Sequence, residues 1–200
     1  MASVKRDLLV ATALELFTKN GYRATGIDKI LAESGVAKMT LYKHFKSKDE
    51  LIIAALRKRD DDFSADLAKK MQSLLKQQNY DPRIKKLMAF FDALHLWIKS
   101  DAFYGCNFIN ASIEFKREDD PIHVAASAHK KLVIQMIQEL LAELHLPDTV
   151  YVARSIHMLV EGAIVMAVTI GDKNSALQAK DNAIKILTSY NISPPLMVQQ

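Results

Sequence analysis

The chain has 200 residues, of which 50% are hydrophobic and 25% charged, with 6 Gly, 5 Pro and a net charge of +4. This length and composition exclude a large multidomain enzyme and the collagen-like, low-complexity and wholly disordered classes. No stretch of about eighteen uninterrupted apolar residues predicts a membrane-spanning helix, so we expect a globular protein.

The amino-terminal apolar run is short and bounded by charge. Asp7 and Glu15 bracket it, which favours a helix of the fold over an export signal. The single cysteine, Cys106, excludes an internal disulfide. We therefore expect a protein of the reducing cytoplasm.

The charge is distributed unevenly along the chain. Residues 1–59 contain 12 Lys or Arg and 6 Asp or Glu, a charge of +6, whereas the remainder contains 15 and 17, a charge of −2. A basic end on a slightly acidic body is expected of a protein that meets a polyanion at that end. A basic surface that only meets solvent is the alternative interpretation.

Apolar spacing predicts helices throughout, and no segment shows the alternation of a strand. Leu9, Ala13 and Phe17 illustrate the helical period in the first segment, and no proline occurs before Pro82. In chain order, the predicted helices lie near residues 4–20, 26–33, 37–44, 48–77, 82–99, 103–117, 121–145, 148–170 and 174–190. The expected fold class is all-α, with about nine helices.

Residues 25–51 contain three helix-start or turn signals in close succession. Thr25 with Asp28 forms a variant capping box, Gly35 provides a tight turn, and Ser47 with Glu50 forms a Ser-x-x-Glu capping box. These signals predict two short helices followed by the start of a long one. This is the arrangement of a helix-turn-helix, whose second helix enters the major groove of DNA.

The second short helix has an apolar side formed by Val36, Leu41 and Phe45, and no acidic residue lies between Ala37 and Lys48. Its remaining side chains donate to phosphates or contact base edges. The DNA-binding residues expected on this helix are Lys38, Met39, Thr40, Tyr42, Lys43 and His44. Three residues have an alternative role that involves no DNA. Tyr42 would be a half-buried brace, His44 would be a cap partner of the neighbouring helix, and Lys48 would be a solvated side chain.

The run Thr-Leu-Tyr-Lys-His-Phe-Lys-Ser-Lys from Thr40 to Lys48 is highly specific. With it, the chain resembles the TetR family of bacterial transcriptional regulators over about its first quarter. The resemblance implies that Thr25, Lys38, Thr40, Tyr42, His44 and Lys48 contact DNA. Ala37 and Met39 depart from the Ser and Gly that are usual in the family. The other matching residues are Ala13, Leu16, Phe17, Gly21, Tyr22, Ile30, Gly35, Val36, Leu41, Phe45, Ser47 and Leu51.

We expect two domains, a helix-turn-helix DNA-binding domain at residues 1–47 and a helical ligand-binding and dimerisation domain at residues 48–200. Because each chain supplies one reading helix, we expect a homodimer that binds double-stranded operator DNA. The resemblance implies that the last two helices pair with their symmetry mates. Their apolar band is the candidate surface, and an ordinary intramolecular core is the alternative. The band comprises Ile156, Leu159, Val160, Ala163, Ile164, Ala167 and Val168, and the last helix adds Ala176, Ala179, Ala183, Ile184 and Leu187.

Polar and sulfur-containing side chains within the apolar helices predict an effector site, because a buried polar group is costly unless it is satisfied. A mostly apolar pocket with a few polar groups accepts a small hydrophobic or aromatic molecule. Cys106, which follows Gly105 at a predicted helix start, is either an electrophile sensor or a small buried hydrophobe. The predicted ligand-binding residues are Phe91, His95, Cys106, Asn110, Met136, Met158 and Glu161.

Other chemistry has little support in the sequence. There is no His-x-x-x-His or Cys-x-x-Cys pair and no glycine-rich phosphate loop, so we expect no metal, cofactor or catalytic residue. The function hypothesis is a ligand-responsive, sequence-specific, dimeric repressor released from its operator by a small hydrophobic or electrophilic effector. An activator of the same architecture is a lesser alternative. The second alternative is a protein that does not bind DNA, either a helical small-molecule carrier or a cysteine-dependent enzyme.

Overall fold

The computed structural model describes residues 2–76 and 80–192. Within these ranges the chain forms nine α-helices and no β-strand, which confirms the predicted all-α class. A short 3-10 turn at Ala142–Leu144 follows the seventh helix. The helices are α1 (Ala2–Asn20), α2 (Ile27–Ser34), α3 (Lys38–His44), α4 (Lys48–Leu75), α5 (Pro82–Lys99), α6 (Asn107–Glu114), α7 (Pro121–Leu141), α8 (Thr149–Thr169) and α9 (Ser175–Thr188).

The predicted sixth helix, at residues 103–117, is too long. Gly105 has φ +87, and a Cβ added there would lie 2.9 Å from Val168 Cγ2. The helix therefore begins only at Asn107, with Cys106 in an extended conformation before it. Phe115 leaves the helical region at the other end, with φ −114 and ψ 80.

Side-chain caps explain several of the helix starts. Asp81 accepts a hydrogen bond from the Arg83 backbone N–H at the start of α5, where Pro82 occupies the first turn. At α4, Ser47 Oγ accepts from the Glu50 N–H at 3.2 Å, which confirms that predicted cap. The Glu50 carboxylate accepts from the Lys46 N–H at 2.8 Å, one residue earlier than in the standard capping box.

The predicted cap at Thr25 is wrong. Gly26 precedes α2 and no side chain caps that helix. Thr25 is instead fully buried, and its hydroxyl donates to the Gly21 carbonyl at 2.8 Å. Its side chain therefore stabilises the α1–α2 turn.

The described helices form two compact units. The first comprises residues 1–64 and 106–130, and therefore contains α1, α2, α3, α6 and the first parts of α4 and α7. In it α1 packs against both α2 and α3. The predicted division into residues 1–47 and 48–200 is a functional one, and it stays a prediction. The core of this unit includes Leu9, Ala13, Phe17, Tyr22, Ile30, Leu41, Leu51, Ile52, Phe108 and Ala111.

The second unit comprises residues 65–105 and 131–200, of which those up to 76 and those at 80–105 and 131–192 are described. Here α9 packs against both α5 and α8. Lys180 on α9 is 8% exposed, and its ammonium donates to both carboxylate oxygens of Asp92 on α5 at 2.8 Å. Pairing of this kind offsets the cost of burying the charge.

Helix α8 alone among the described helices is long and apolar enough, by length and composition, to cross a membrane. Of its most apolar window, 39% is buried inside the protein. Ile156, Val160, Ala163 and Ala167 are buried on the side of α8 that packs on α9. This is the pattern of a core helix in a folded domain.

Tyr22, in the turn after α1, joins two segments of the first unit. The side chain is 1% exposed, and its hydroxyl donates to the Asn107 carbonyl at the start of α6 at 3.0 Å. Its ring lies against Phe17, with centroids 5.2 Å apart. Burial raises the pKa of the Tyr22 phenol above its ordinary value of 10.0.

We expect Tyr22→Phe to lower the free energy of unfolding by about 1 kcal/mol near neutral pH, because the buried Asn107 carbonyl loses its donor. Since the pKa is raised in the folded state, wild-type stability is fully present below about pH 10 and declines above it, as the unfolded chain ionises first. Tyr22→Phe has no phenol at this position, so it does not lose the part of the unfolding free energy that depends on the ionisation of Tyr22. Urea unfolding at about pH 7 and about pH 10.5 measures both effects.

Tyr104→Phe is the matched control, because Tyr104 is 47% exposed. We expect it to leave the stability unchanged near neutral pH. An alkaline loss of equal size in the wild type and in Tyr22→Phe would contradict the assigned role of the phenol.

Candidate nucleic-acid interface

Helix α3 is held by one apolar side. Leu41 is fully buried and Phe45, which follows the helix, is 3% exposed. The Arg6 guanidinium of α1 lies 5.4 Å from the centroid of the Phe45 ring. These contacts fix the rotation of α3 about its own axis, and with it the side that faces solvent.

The opposite side of α3 is exposed and carries no acidic group. Met39 is 84% exposed and Tyr42 is 48% exposed, and Lys38 and Lys43 beside them are also exposed. Residues at these spacings lie on one face of a helix. The face thus combines two cations, a phenol and a thioether, which suit phosphate contacts and apolar contacts with bases.

The turn between α2 and α3 depends on one glycine. Gly35 has φ +65, and its N–H donates to the Leu31 carbonyl at 3.0 Å, which ends α2. Ala37 precedes α3 in an extended conformation and offers no side-chain cap. The turn therefore relies on backbone geometry.

Lys48, at the start of α4, is half-buried. Its ammonium donates to the Arg23 carbonyl at 3.3 Å, so the side chain already tethers the turn after α1. Burial lowers the pKa of Lys48, the negative charges of Asp49 and Glu114 raise it, and Arg23 lowers it further.

Comparison with known proteins agrees with this geometry. The family described as "Bacterial regulatory proteins, tetR family" matches residues 9–55. The fold matches the crystal structure of a TetR-family transcriptional regulator from Streptomyces coelicolor with a TM-score of 0.81 and 30% sequence identity, covering 94% of this chain and 90% of that one. The chain belongs to the TetR family.

A TetR transcriptional regulator from Chloroflexus aurantiacus has the same fold, with a TM-score of 0.76 at 22% identity over 96% of this chain and 97% of that one. The transcriptional activator FasR of Mycolicibacterium smegmatis is 36% identical over 89 residues, which span 44% of this chain but only 39% of FasR. The regulator YjdC of Escherichia coli is 24% identical over 161 residues, 80% of this chain and 82% of YjdC. This TetR-family chain is a DNA-binding transcriptional regulator rather than an enzyme.

Seven of the eight predicted DNA-binding residues of this TetR-family regulator reach the surface. Lys38, Met39, Tyr42 and Lys43 are exposed, and Thr40, His44 and Lys48 are half-buried. Tyr42 is 48% exposed, so both the DNA contact and the half-buried brace stay open for it. The prediction that Thr25 contacts DNA is wrong, because its hydroxyl is fully buried and is not available to a phosphate. The DNA contacts of the other seven stay predictions.

The predicted effector residues are divided between the units. Cys106 and Asn110 belong to the first, and Phe91, His95, Met136, Met158 and Glu161 belong to the second. Phe91 is fully buried, whereas Met158 is 66% exposed and is not part of an interior pocket of the single chain. Buried His95 Nδ1 has no hydrogen-bond partner within the described residues, and Asn110, Met136 and Glu161 are half-buried.

Sequence reasoning missed the role of Glu114. Its carboxylate, at the end of α6, accepts hydrogen bonds from the Tyr22 N–H at 2.9 Å and the Arg23 N–H at 2.6 Å. Arg23 Nε in turn donates to the Glu114 carbonyl at 2.9 Å. No local signal predicts this contact, because about 90 residues separate the partners: the bond to Tyr22 spans 92 positions.

We expect Gly35→Ala to lower the free energy of unfolding by about 1 kcal/mol, because a side chain is strained at φ +65 although no atom lies within 4 Å of the added Cβ. Gly26→Ala is the matched control, since Gly26 has φ −81 and equally open space. Denaturant unfolding measures both variants. Equal destabilisation of the two would mean that the left-handed conformation is not what requires glycine at position 35.

Proposed function

We propose that this TetR-family regulator is a homodimeric repressor that binds operator DNA through the exposed face of α3 and leaves it when a small apolar effector binds. The observation that carries the DNA-binding part is that face, defined by Lys38, Met39, Tyr42 and Lys43. It is free of acidic residues and held outward by the buried Leu41. A helix of this kind fits the major groove, which is about 12 Å wide.

We expect Lys43→Gln to weaken operator binding and to reduce the slope of log affinity against log salt by about 1, because one phosphate contact is lost. We expect Tyr42→Ala to weaken binding without changing this slope as much, since the phenol carries no charge. Lys69→Gln is the matched control, because it removes the same charge from an exposed position on α4 outside the helix-turn-helix. Fluorescence anisotropy with operator DNA at several salt concentrations measures all three.

The three variants together decide the contact assignment. Equal affinity and equal salt slope in the wild type, Lys43→Gln and Tyr42→Ala would contradict it. An equal loss in Lys69→Gln would show that only the total charge of the protein matters.

The proposed dimer interface uses the outer side of α8. Most of the predicted apolar band on α8 is buried within the single chain. The buried residues are Ile156, Val160, Ala163, Ile164 and Ala167. Val168, from the same band, is 53% exposed. An apolar stripe lies on the exposed side of α8. It supports dimerisation, because a second copy of the chain would cover it and monomers rarely expose such stripes to water. The stripe comprises Tyr151, Met158, Val165, Met166, Val168 and Ile170.

We expect Met158→Asp to shift the protein from dimer to monomer, because a carboxylate placed in an apolar interface loses its hydration without gaining a partner. Leu132→Asp is the matched control, since Leu132 is an apolar residue of α7 with 54% exposure. Sedimentation velocity over a range of concentrations measures the dissociation constant. A monomer in both variants or a dimer in both would contradict this interface.

The proposed effector is a small molecule with a mostly apolar body rather than an electrophile. Cys106 is 7% exposed, and its Sγ accepts a hydrogen bond from Lys130 Nζ at 3.2 Å, so an electrophile does not reach the thiol without an opening of the chain. Repression is the proposed direction of regulation. Activation is the second candidate, because the relative FasR is named a transcriptional activator. Transcription in vitro from a promoter that contains the operator distinguishes the two.

A further inference from the structure

A cavity of about 530 Å³ lies within the first unit, away from the exposed face of α3. Its walls come from the first half of α4, the start of α6 and the start of α7. None of the seven predicted effector residues lines it. The lining residues that carry the argument are Leu56, Arg57, Asp60, Phe108, Val124 and His129.

The inner wall of the cavity is a rigid aromatic stack. The His129 ring lies parallel to Phe108, with centroids 3.6 Å apart and planes 8° apart. The Phe63 and His129 rings are nearly perpendicular, with centroids 5.8 Å apart. His129 is 6% exposed, and its Nδ1 lies 2.8 Å from Asp60 Oδ1. Because a carboxylate only accepts, Nδ1 carries the proton and donates to Asp60. The imidazole is thus held in one orientation.

The two carboxylates that line the cavity have hydrogen-bond partners, whereas its guanidinium has none among the described residues. Asp60 accepts from His129, and Asp119 accepts two bonds from the Arg117 guanidinium at 3.0 and 2.7 Å. Arg57 makes no hydrogen bond or ion pair with any residue that the structure describes. Arg57 is therefore the lining group whose donors are available to an occupant, and its planar guanidinium matches the two oxygens of a carboxylate.

We propose that this cavity binds a small organic carboxylate, with its apolar body against Leu56, Phe108 and Val124 and its carboxylate on Arg57. The volume lies in the range of about 300–1,000 Å³ that is typical of small-molecule sites. A chain of about ten carbons or a two-ring aromatic acid is accommodated. Val124, which is 51% exposed, becomes covered when the cavity is occupied.

The cavity is connected to the helix-turn-helix through α6. Phe108 is the second residue of this helix, and the residue before it, Asn107, donates from Nδ2 to Thr18 Oγ1 on α1 at 2.7 Å. At the other end, Glu114 holds the N–H groups of Tyr22 and Arg23. An occupant that packs against Phe108 therefore contacts a helix whose two ends are bonded to α1 and to the turn before α2.

This connection makes the cavity a site for regulation of operator binding, a step that rests on the proposed function. A ligand changes operator affinity only if it binds the two states of the protein with different affinities. Binding to the cavity itself requires no DNA. The two steps are therefore tested separately.

Isothermal titration calorimetry of the full chain with decanoate tests the site, with decanol as the neutral counterpart. We expect Arg57→Gln to weaken decanoate binding by about tenfold, because a charge-assisted hydrogen bond is lost, and to leave decanol binding unchanged. Lys58→Gln is the matched control: Lys58 is adjacent on α4, pairs with Asp62 and does not line the cavity. We expect this variant to bind decanoate as the wild type does.

A second variant tests the cavity by filling it. Ala128 lines the cavity from an exposed position on α7, so Ala128→Trp adds a large ring where the occupant would lie. We expect it to abolish binding of both probes. Absence of decanoate binding to the wild type, or equal weakening in Arg57→Gln and Lys58→Gln, would overturn the site, and this comparison decides the matter even if Ala128→Trp does not fold.

Anisotropy with operator DNA tests the regulatory step. Decanoate binding with a lowered operator affinity in the wild type, and no such lowering in Arg57→Gln at the same decanoate concentration, supports it. Decanoate binding with unchanged operator affinity overturns the regulatory step. Absence of any operator binding contradicts the proposed function, and the calorimetric result still decides the site.

Discussion

The structure of the proposed DNA-binding face depends on the burial of one side of a helix only seven residues long. A helix as short as α3 is not stable by itself in water, because the cost of its first turn is not recovered within two turns. It persists here because Leu41 and Phe45 are buried in the first unit. The same contacts point Met39 and Tyr42 outward, so the stability of α3 and its presentation to DNA have one physical cause.

Polar groups buried inside each unit connect segments that are distant in the sequence. In the first unit the Glu114 carboxylate satisfies two backbone N–H groups after α1, and the Tyr22 hydroxyl satisfies the Asn107 carbonyl. Such groups are costly when they are left unsatisfied, so these bonds specify one arrangement of α1 and α6. In the second unit, the Lys180–Asp92 pair specifies the arrangement of α5 and α9 in the same way.

The placement of α6 gives the first unit a mixed character. It contains all three helix-turn-helix helices and also α6 and the start of α7, which sequence reasoning assigned to the ligand-binding domain. The helix that lines a cavity with Phe108 is thus bonded to α1 through Asn107 and to the turn between α1 and α2 through Glu114. The proposed recognition of DNA and the proposed recognition of a small molecule would therefore depend on one set of packed side chains within this unit.

The all-α class, the approximate positions of the nine helices and the helix-turn-helix were determined by the sequence alone. These features depend on local periodicity, on caps such as Ser47 with Glu50, and on the specific run from Thr40 to Lys48. Only the tertiary structure decided that Thr25 is buried, that α6 begins after Gly105, and that Met158 faces outward. It also brought Asp60 and His129 together across 69 positions. Local patterns determine which backbone conformation is favourable, whereas burial and long-range pairing depend on which helix faces meet, and a single sequence does not encode those contacts in any short window.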